Sequence, residues 1–200
     1  MSPAYVLEPT YQRLKRDLMA GAFPMGSKLE ALRLADELGV SMTPVRDSLN
    51  QLTGEGLVEF SPGDGFRVAR LSEQNLREML DINRLLLVHA LETGAATDML
   101  PIGETPDSED HASRVSAIFG AIAVASGNRF LLRSVEQISA RLNPVRRLEP
   151  LVIPSAPERL LRVEKSLRSA RTECVTALSA YHAVCFDAVP RLIASIPGAI

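Results

Sequence analysis

Apolar residues near the start of the chain recur every three to four positions, which is the period of an α-helix. Tyr11, Leu14 and Leu18 share one face of a first predicted helix, with Thr10 as its N-cap and Gly21 as its end. Basic side chains occupy the other faces of this segment and are expected to stay in water. The segment is therefore predicted to be an amphipathic helix that packs on a core through one side.

Two further helices are predicted on either side of a tight turn within residues 34–56. The first covers residues 29–38, and Gly39 can adopt the positive φ that ends a helix. The second begins with Ser41 or Thr43 as its N-cap. A helix, a glycine turn and a polar-fronted helix form the helix-turn-helix that enters the major groove of DNA, although an ordinary pair of packed helices gives the same local pattern.

A pair of short predicted strands decides between these two interpretations. Residues 57–60 and 66–68 alternate between apolar and polar side chains around a turn-forming Ser-Pro-Gly-Asp-Gly segment. A β-hairpin directly after a helix-turn-helix makes a winged helix, whereas an ordinary helix pair does not predict the hairpin. Residues 1–71 are therefore predicted to form a winged helix-turn-helix DNA-binding domain.

From Ser72 onward the pattern is helical alone, apart from an acidic segment with Pro and Gly at residues 101–110. Ser72 is a suitable N-cap and Glu73 suits the positive end of a helix. The predicted helices are 72–97, one that carries Val115 to Ile122 and ends at Gly127, one from Asn128 to Pro144, 158–169 and 171–188. The fold class is mainly α, with the N-terminal winged helix-turn-helix followed by a C-terminal all-α helical bundle in residues 72–200.

Composition restricts the class of protein. Hydrophobic residues make up 46% of the chain and aromatic residues only 4%, which predicts aliphatic packing between helices. There is no apolar run long enough to span a membrane and no N-terminal secretory signal, so we expect a cytoplasmic protein without a membrane partner. Cys174 and Cys185 are too few for a disulfide framework and are expected to be reduced thiols.

The charge balance does not by itself indicate a nucleic-acid partner. The formal net charge of the chain is −2, and residues 1–71 hold eight Lys and Arg residues against nine Asp and Glu residues. Any binding to DNA must therefore come from the local placement of a few cations, and its non-specific component should be weak.

The segment Leu-Gly-Val-Ser-Met-Thr-Pro-Val-Arg at residues 38–46 resembles the DNA-binding domain of GntR-type bacterial transcription regulators. The resemblance extends over residues 11–71 and includes the glycine-containing wing. It implies that the third helix presents its first residues to bases and phosphates, while the wing approaches the minor groove. The residues that it implies as DNA contacts are Arg33, Ser41, Thr43, Arg46, Gly63 and Gly65.

Three residues depart from the pattern of this family. Met42 stands where the family usually has Arg, and Leu32 stands where it often has Arg, although Arg33 is adjacent. Asp64 lies in a wing that is commonly basic or neutral, and a carboxylate near phosphates is unfavourable. We therefore expect altered specificity or reduced affinity for DNA.

The helical half resembles the effector-binding domain of the GntR subfamily that includes the fatty-acid regulator, through residues 118–128 and the last helix around His182. Members of that subfamily often hold a divalent metal through one Asp and three His residues. Here Ser116, Gly120 and Lys165 replace three of these ligands and only His182 remains. A single imidazole is a weak metal site, so no metal and no cofactor are predicted.

An acidic effector would then need cations from the protein. The predicted ligand-binding residues are Arg84, Arg141 and His182, but either Arg could equally be a solvated or salt-bridging residue, and His182 could be a hydrogen-bonded interior residue. Arg146 and Arg147 precede a loop and are expected at the surface. For His89 and His111 we expect surface or hydrogen-bonded positions rather than metal ligation.

Together these features predict a homodimeric regulator that binds an inverted repeat in double-stranded DNA. A small organic effector, for example a carboxylate, would bind the helical domain and alter the affinity for the operator. The alternative is a ligand-binding or protein-interaction module that has weakened or lost operator binding. No nucleophile–base set, phosphate loop or spaced carboxylate pair is recognisable, so no catalytic residues are assigned and no enzymatic activity is expected.

Overall fold

A computed structural model of the 200-residue chain describes residues 3–94, 110–168 and 170–199. Contacts divide the chain into two units, Met1–Leu71 together with Ile196–Ile200, and Ser72–Ser195. The long helix predicted to reach Thr97 ends earlier, at Thr93, because the backbone of Gly94 is extended. Most of the predicted acidic segment lies outside the described residues.

The first unit combines three helices with a small antiparallel sheet. Its elements are α1 (Pro3–Met19), β1 (Lys28–Leu29), α2 (Ala31–Leu38), α3 (Met42–Gly54), β2 (Val58–Ser61) and β3 (Gly65–Val68). The strand order is β1-β3-β2, so the predicted wing hairpin gains a third strand. In that third strand, β1, Lys28 pairs with Arg67 of β3. Because residues 28–29 are extended for this pairing, α2 begins at Ala31 and not at residue 29 as predicted.

The core of the first unit lies between α1, α3 and the sheet. Leu14 and Leu18 from α1 pack with Val45, Leu49 and Leu52 from α3, and all five are buried. Burial of this kind stabilises a domain by about 1.5–3 kcal/mol for each large aliphatic side chain. This core fixes the first turn of α3 at the surface, where its polar residues are available for contact.

The termini of these helices follow the glycine and cap pattern in part. Gly39 has φ 66° and ends α2, as predicted. Ser41 occupies the N-cap position of α3, but its side chain makes no capping hydrogen bond. The prediction that Thr10 caps the first helix is wrong, because α1 begins at Pro3 and Thr10 is buried within it.

The second unit is entirely helical in the described residues. Its helices are α4 (Glu73–Thr93), α5 (His111–Ala125), α6 (Arg129–Arg146), α7 (Glu149–Val152), α8 (Ala156–Ser166), α9 (Arg171–Asp187) and α10 (Val189–Ala194). Ser72 caps α4 by accepting a hydrogen bond of 3.1 Å from the backbone N–H of Asn75. Asn128 caps α6 through the backbone N–H groups of Phe130 and Leu131. The mainly α fold class is thus confirmed.

Two features of this unit differ from the prediction. Pro144 does not stop α6, which continues to Arg146. A proline removes one backbone donor but does not end a helix when tertiary packing supports the last turn. The short helices α7 and α10 were not predicted, because four and six residues are too few to show a helical period. No helix in the described ranges is long and apolar enough to cross a membrane.

Candidate nucleic-acid interface and buried polar cluster

The first unit has a cleft between α3 and the sheet. Its volume is about 460 Å³, and its lining consists of Lys28, Leu29, Glu30, Ala31, Arg46, Asn50, Phe60, Gly65 and Phe66. Phe60 and Phe66 face each other across the β2–β3 pair, with ring centroids 4.9 Å apart. The cleft is thus an apolar surface edged by two cations and one carboxylate, Glu30, and we call it the α3–wing cleft.

The two cations of the α3–wing cleft are Lys28 and Arg46. Both are exposed, and neither forms an ion pair with a described carboxylate. Four other cations of the first unit are paired with carboxylates, as in the contact of 2.7 Å between Lys15 Nζ and Glu55 Oε2, whereas Arg16 and Arg70 form no ion pair with a described carboxylate. The balanced charge of the unit therefore conceals a local excess of positive charge at this cleft.

The wing holds a carboxylate that is already neutralised by a neighbour. Arg67 donates to both oxygens of Asp64, with Nε–Oδ2 at 2.6 Å and Nη2–Oδ1 at 2.9 Å. These hydrogen bonds lower the pKa of Asp64 below its ordinary value. Arg67 also donates from Nη1 to the carbonyl oxygen of Gly26 at 3.1 Å. Asp64 thus accepts hydrogen bonds from the guanidinium of Arg67 that would otherwise be available to solvent.

Gly63 and Gly65 are required by the backbone of this turn. Their φ angles are 85° and 82°, and L-residues with side chains rarely adopt such values. No other atom would obstruct a Cβ at either position, so their role is conformational and leaves the tip of the wing narrow.

The predicted DNA-contact residues are brought together only in part. Ser41, Thr43 and Arg46 are exposed at the start of α3, and Gly65 shares the α3–wing cleft with Arg46. Arg33 is exposed on α2, where its Nε lies 2.8 Å from Glu37 Oε1, and it does not line the cleft. Their roles in binding DNA stay predictions.

The structure adds three residues to this candidate surface. Asn50 lies one helical turn after Arg46, and that i, i+4 spacing was visible in the sequence. Lys28 was missed because the two-residue strand β1 carries no pattern, and Phe60 because it was assigned only to a hairpin. The departures Met42 and Leu32 are 42% and 62% exposed, so neither is needed for the core.

The second unit contains a buried polar cluster. Its members are Asn83, His111, Arg146, Glu149, Tyr181 and His182. The carboxylate of Glu149 accepts a hydrogen bond from the hydroxyl of Tyr181 and lies 2.8 Å from His111 Nε2. Burial raises the pKa of Tyr181, so its hydroxyl stays protonated and donates.

Arg146 is only 2% exposed, and the prediction that it lies at the surface is wrong. Because α6 continues past Pro144, Arg146 is still helical and belongs to the face that packs inward. Its Nη2 donates to Asn83 Oδ1 at 3.3 Å, and its guanidinium lies 5.0 Å from the ring centroid of Phe119. By contrast, Arg147 is exposed and pairs with Asp110 at 3.3 Å.

His182 is buried beside these groups. Its Nδ1 lies 3.0 Å from the carbonyl oxygen of Leu178 and its Nε2 lies 3.2 Å from Asn83 Oδ1. Burial lowers the pKa of His182 to about 4, so the ring is neutral at pH 7 and donates to one of these oxygens only. The ring also stacks on Phe119 at 5.4 Å.

A pocket of about 410 Å³ lies between α4 and α9. Arg84 and His182 line it together with Leu80, Asp81, Ser179, Ala183, Phe186 and Asp187. Arg84 Nη2 is 3.2 Å from Asp81 Oδ1. Arg141 is on α6 and does not line this pocket, so two of the three predicted ligand-binding residues share one site.

The residues present do not fit the divalent-metal site of the subfamily that the helical half resembles. The hydroxyl oxygen of Ser116 is buried without a hydrogen-bond partner among the described residues, Gly120 has no side chain, and Lys165 is exposed. His89 is exposed and His111 is paired with Glu149. In the part of the chain that the structure describes, no three His, Cys, Asp or Glu residues are grouped so that they could hold a metal.

Comparison with known proteins finds similarity to bacterial transcription regulators. Residues 8–68 match the family described as bacterial regulatory proteins, gntR family. The HTH-type transcriptional repressor GlaR of Escherichia coli strain K12 is 37% identical over 71 residues, which are 36% of this chain and 32% of that protein. The HTH-type transcriptional regulator McbR of the same strain is 26% identical over 145 residues, or 66% of each chain. The match thus spans between about a third and two thirds of the length of these curated relatives.

Solved structures extend the likeness of fold to the helical half. The structure of E. coli McbR/YncC has a TM-score of 0.71 at 20% identity and covers 92% of this chain and 97% of its own. A transcriptional regulator GntR from Rhodococcus sp. RHA1 has a TM-score of 0.76 at 14% identity and covers 94% and 98%, respectively. A winged helix-turn-helix followed by a helical domain is therefore an architecture that this chain shares with known regulators.

Proposed function

We propose that this chain, whose residues 8–68 match the gntR family of bacterial regulatory proteins, regulates transcription by binding one specific DNA sequence through α3 and the wing. The observation that carries this proposal is the α3–wing cleft, where Arg46 and Lys28 are exposed and unpaired among the described residues.

Arg46 is the residue that we assign to base recognition. A guanidinium can donate two hydrogen bonds to O6 and N7 of guanine in the major groove, and such a pair contributes about 1–3 kcal/mol of discrimination. Ser41 and Thr43 stand at the N-terminus of α3, where hydroxyl and backbone N–H groups suit phosphate oxygens. Lys28 on the sheet would contact a phosphate and add affinity without sequence information.

We further propose that the protein acts as a homodimer on an inverted repeat. A two-fold dimer presents two copies of α3, and half-sites about 34 Å apart place both copies in successive major grooves on one face of DNA. The helical unit would supply the dimer contact, and a small organic molecule bound there would change the separation of the two readers. GlaR, one of the relatives, is named a repressor, which favours repression as the outcome of DNA binding.

The test begins by selecting bound fragments from genomic DNA with the purified full-length protein. Fluorescence anisotropy then compares the selected operator with a scrambled duplex. Arg46→Ala should weaken operator binding by roughly 5- to 150-fold, the equivalent of about 1–3 kcal/mol, and should remove most of the preference over scrambled DNA.

Arg13→Ala is the matched control. Arg13 is an exposed arginine on α1 whose Nε lies 3.9 Å from Asp17, and it does not line the α3–wing cleft. The control should change binding less than about threefold. Equal binding of operator and scrambled DNA by the native protein would contradict the proposal and favour the alternative, a ligand-binding or interaction module without effective operator binding.

A further inference from the structure

A groove of about 630 Å³ lies between α8 and α9 on the solvent side of this helix pair. Helix α8 contributes Arg159, Arg162 and Lys165 to its lining, and α9 contributes Glu173 and Ala177. The groove shares no lining residue with the pocket between α4 and α9 and contains no member of the buried polar cluster. We call it the α8–α9 groove, and its volume lies within the range of small-molecule sites.

Three cations follow one another at three-residue intervals along α8, and two of them have no carboxylate partner. Arg162 Nη2 lies 2.6 Å from Oε1 of Glu158, a residue that does not line the groove. Arg159 and Lys165 form no ion pair with a described carboxylate. Like charges on neighbouring turns of a helix repel each other, so an anion in the groove would relieve this repulsion.

Arg159 also carries a hydrogen-bond donor that lacks an acceptor. Its Nε atom is buried without a hydrogen-bond partner among the described residues, although the residue as a whole is only half-buried. Buried donors in folded proteins are nearly always paired. The Nε and Nη groups of a guanidinium form a planar fork that can donate to two oxygens of one phosphate. An oxyanion in the α8–α9 groove would therefore satisfy the donor that the protein leaves free.

We propose that the α8–α9 groove binds a small phosphorylated polyol, such as a sugar phosphate. A phosphate monoester carries a charge of about −1.5 to −2 at pH 7, which matches the two unpaired cations Arg159 and Lys165. Glu173 lines the same groove and is exposed, and it forms no ion pair with a described cation. Its carboxylate would accept hydrogen bonds from ligand hydroxyl groups and would repel a second anionic group, which favours a phosphorylated polyol over a dicarboxylate.

The experiment is isothermal titration calorimetry of the full-length protein without DNA, at constant ionic strength. The probes are glucose 6-phosphate, inorganic phosphate and uncharged glucose. Glucose 6-phosphate should bind at one site per chain, whereas glucose should give no binding heat, because it lacks the anion. Inorganic phosphate should bind about 2- to 10-fold more weakly than glucose 6-phosphate, because it lacks the hydroxyl groups that Glu173 would accept from.

Four variants test which residues hold the ligand. Arg159→Met and Lys165→Met should each weaken the binding of glucose 6-phosphate by about tenfold or more, and Lys165 is exposed, so its loss leaves the fold intact. Arg168→Met is the matched control, because Arg168 is an exposed arginine two residues after the end of α8 that does not line the groove. This control should keep the native affinity within about twofold. Glu173→Ala should bring the affinities for glucose 6-phosphate and inorganic phosphate close together.

The outcomes separate the phosphate site from the proposed DNA binding. Loss of operator binding in Arg46→Ala with unchanged affinity for glucose 6-phosphate supports both. Native protein that binds its operator but neither phosphate probe overturns the groove site alone. The groove site is also overturned if Arg159→Met and Lys165→Met bind glucose 6-phosphate like the native protein, or if Arg168→Met weakens it equally. Inorganic phosphate that binds as tightly as glucose 6-phosphate overturns the assignment of a polyol.

Discussion

The wing of this protein contains a carboxylate whose removal should strengthen binding to DNA. Asp64 holds the guanidinium of Arg67 through two hydrogen bonds of 2.6 and 2.9 Å. Both side chains are partly exposed, at 52% and 35%, so the pair lies where a phosphate backbone could approach. We expect Asp64→Asn to release Arg67 and to raise the charge of the wing by one.

The expected magnitude follows from the release of counterions by phosphate contacts. Each additional contact with B-DNA changes the slope of log K against log salt by about −0.9. If Arg67 makes one new phosphate contact, raising the salt from 50 to 200 mM should reduce the affinity of the variant by an additional factor of about 3.5 beyond the reduction in the native protein. At 50 mM salt the variant should bind several-fold more tightly, to operator and to scrambled DNA alike.

The assay is fluorescence anisotropy at four salt concentrations with the selected operator. Asp17→Asn is the matched control, because it also removes an aspartate paired with an arginine, but on α1 and outside the α3–wing cleft. A salt slope in Asp64→Asn equal to that of the native protein would refute the argument. Weaker binding would refute it as well, because Asp64 would then be needed to orient Arg67 for a contact that it already makes.

Two predictions concern stability. Leu49 is fully buried and Leu32 is exposed, so Leu49→Ala should lower the free energy of unfolding by about 2–5 kcal/mol, whereas Leu32→Ala should change it by less than about 0.5 kcal/mol in urea titrations. The pKa of His182 falls from 6.5 to about 4 on folding, because burial disfavours the charged ring. Below pH 6.5 the unfolded chain therefore binds a proton that the folded chain does not, so the free energy of unfolding is highest above pH 6.5 and falls as the pH is lowered towards 4. Between pH 7 and pH 5 this should cost about 2 kcal/mol, and His182→Phe should remove this pH dependence while His89→Ala, at an exposed position, should retain it.

The N-terminal architecture could be predicted from the sequence because each element carries its own local signal. Apolar residues at helical spacing predicted the buried face of α3, and Gly39 predicted the end of α2 through its positive φ. The strand β1 could not be predicted in this way. Lys28 and Leu29 form a strand only because β3 passes beside them, and such pairing leaves no pattern in two residues.

The buried polar cluster could not be predicted from local sequence patterns either, because tertiary packing brings its residues together. Pro144 indicated a helix end, and Arg146 was therefore expected in solvent, but packing of α6 on the bundle keeps the helix intact past the proline. Asn83 and His182 are 99 positions apart and meet only in the folded unit. The charge of Arg146 and its neighbours in the sequence do not indicate that it will be buried against the side-chain amide of Asn83 on another helix.

The placement of charge is consistent with the proposed recognition of DNA by a domain that has slightly more acidic than basic residues. Four of the six cations of the first unit outside the α3–wing cleft are paired with described carboxylates, so they add little to a general attraction for phosphates. Arg46 and Lys28 are exposed and retain their charge where α3 meets the sheet. Because non-specific affinity grows with the number of phosphates neutralised, a unit with so few free cations should bind random DNA weakly. Its discrimination would then rest on the base contacts of α3, which makes the ratio of operator to scrambled binding more sensitive to Arg46 than to the total charge of the unit.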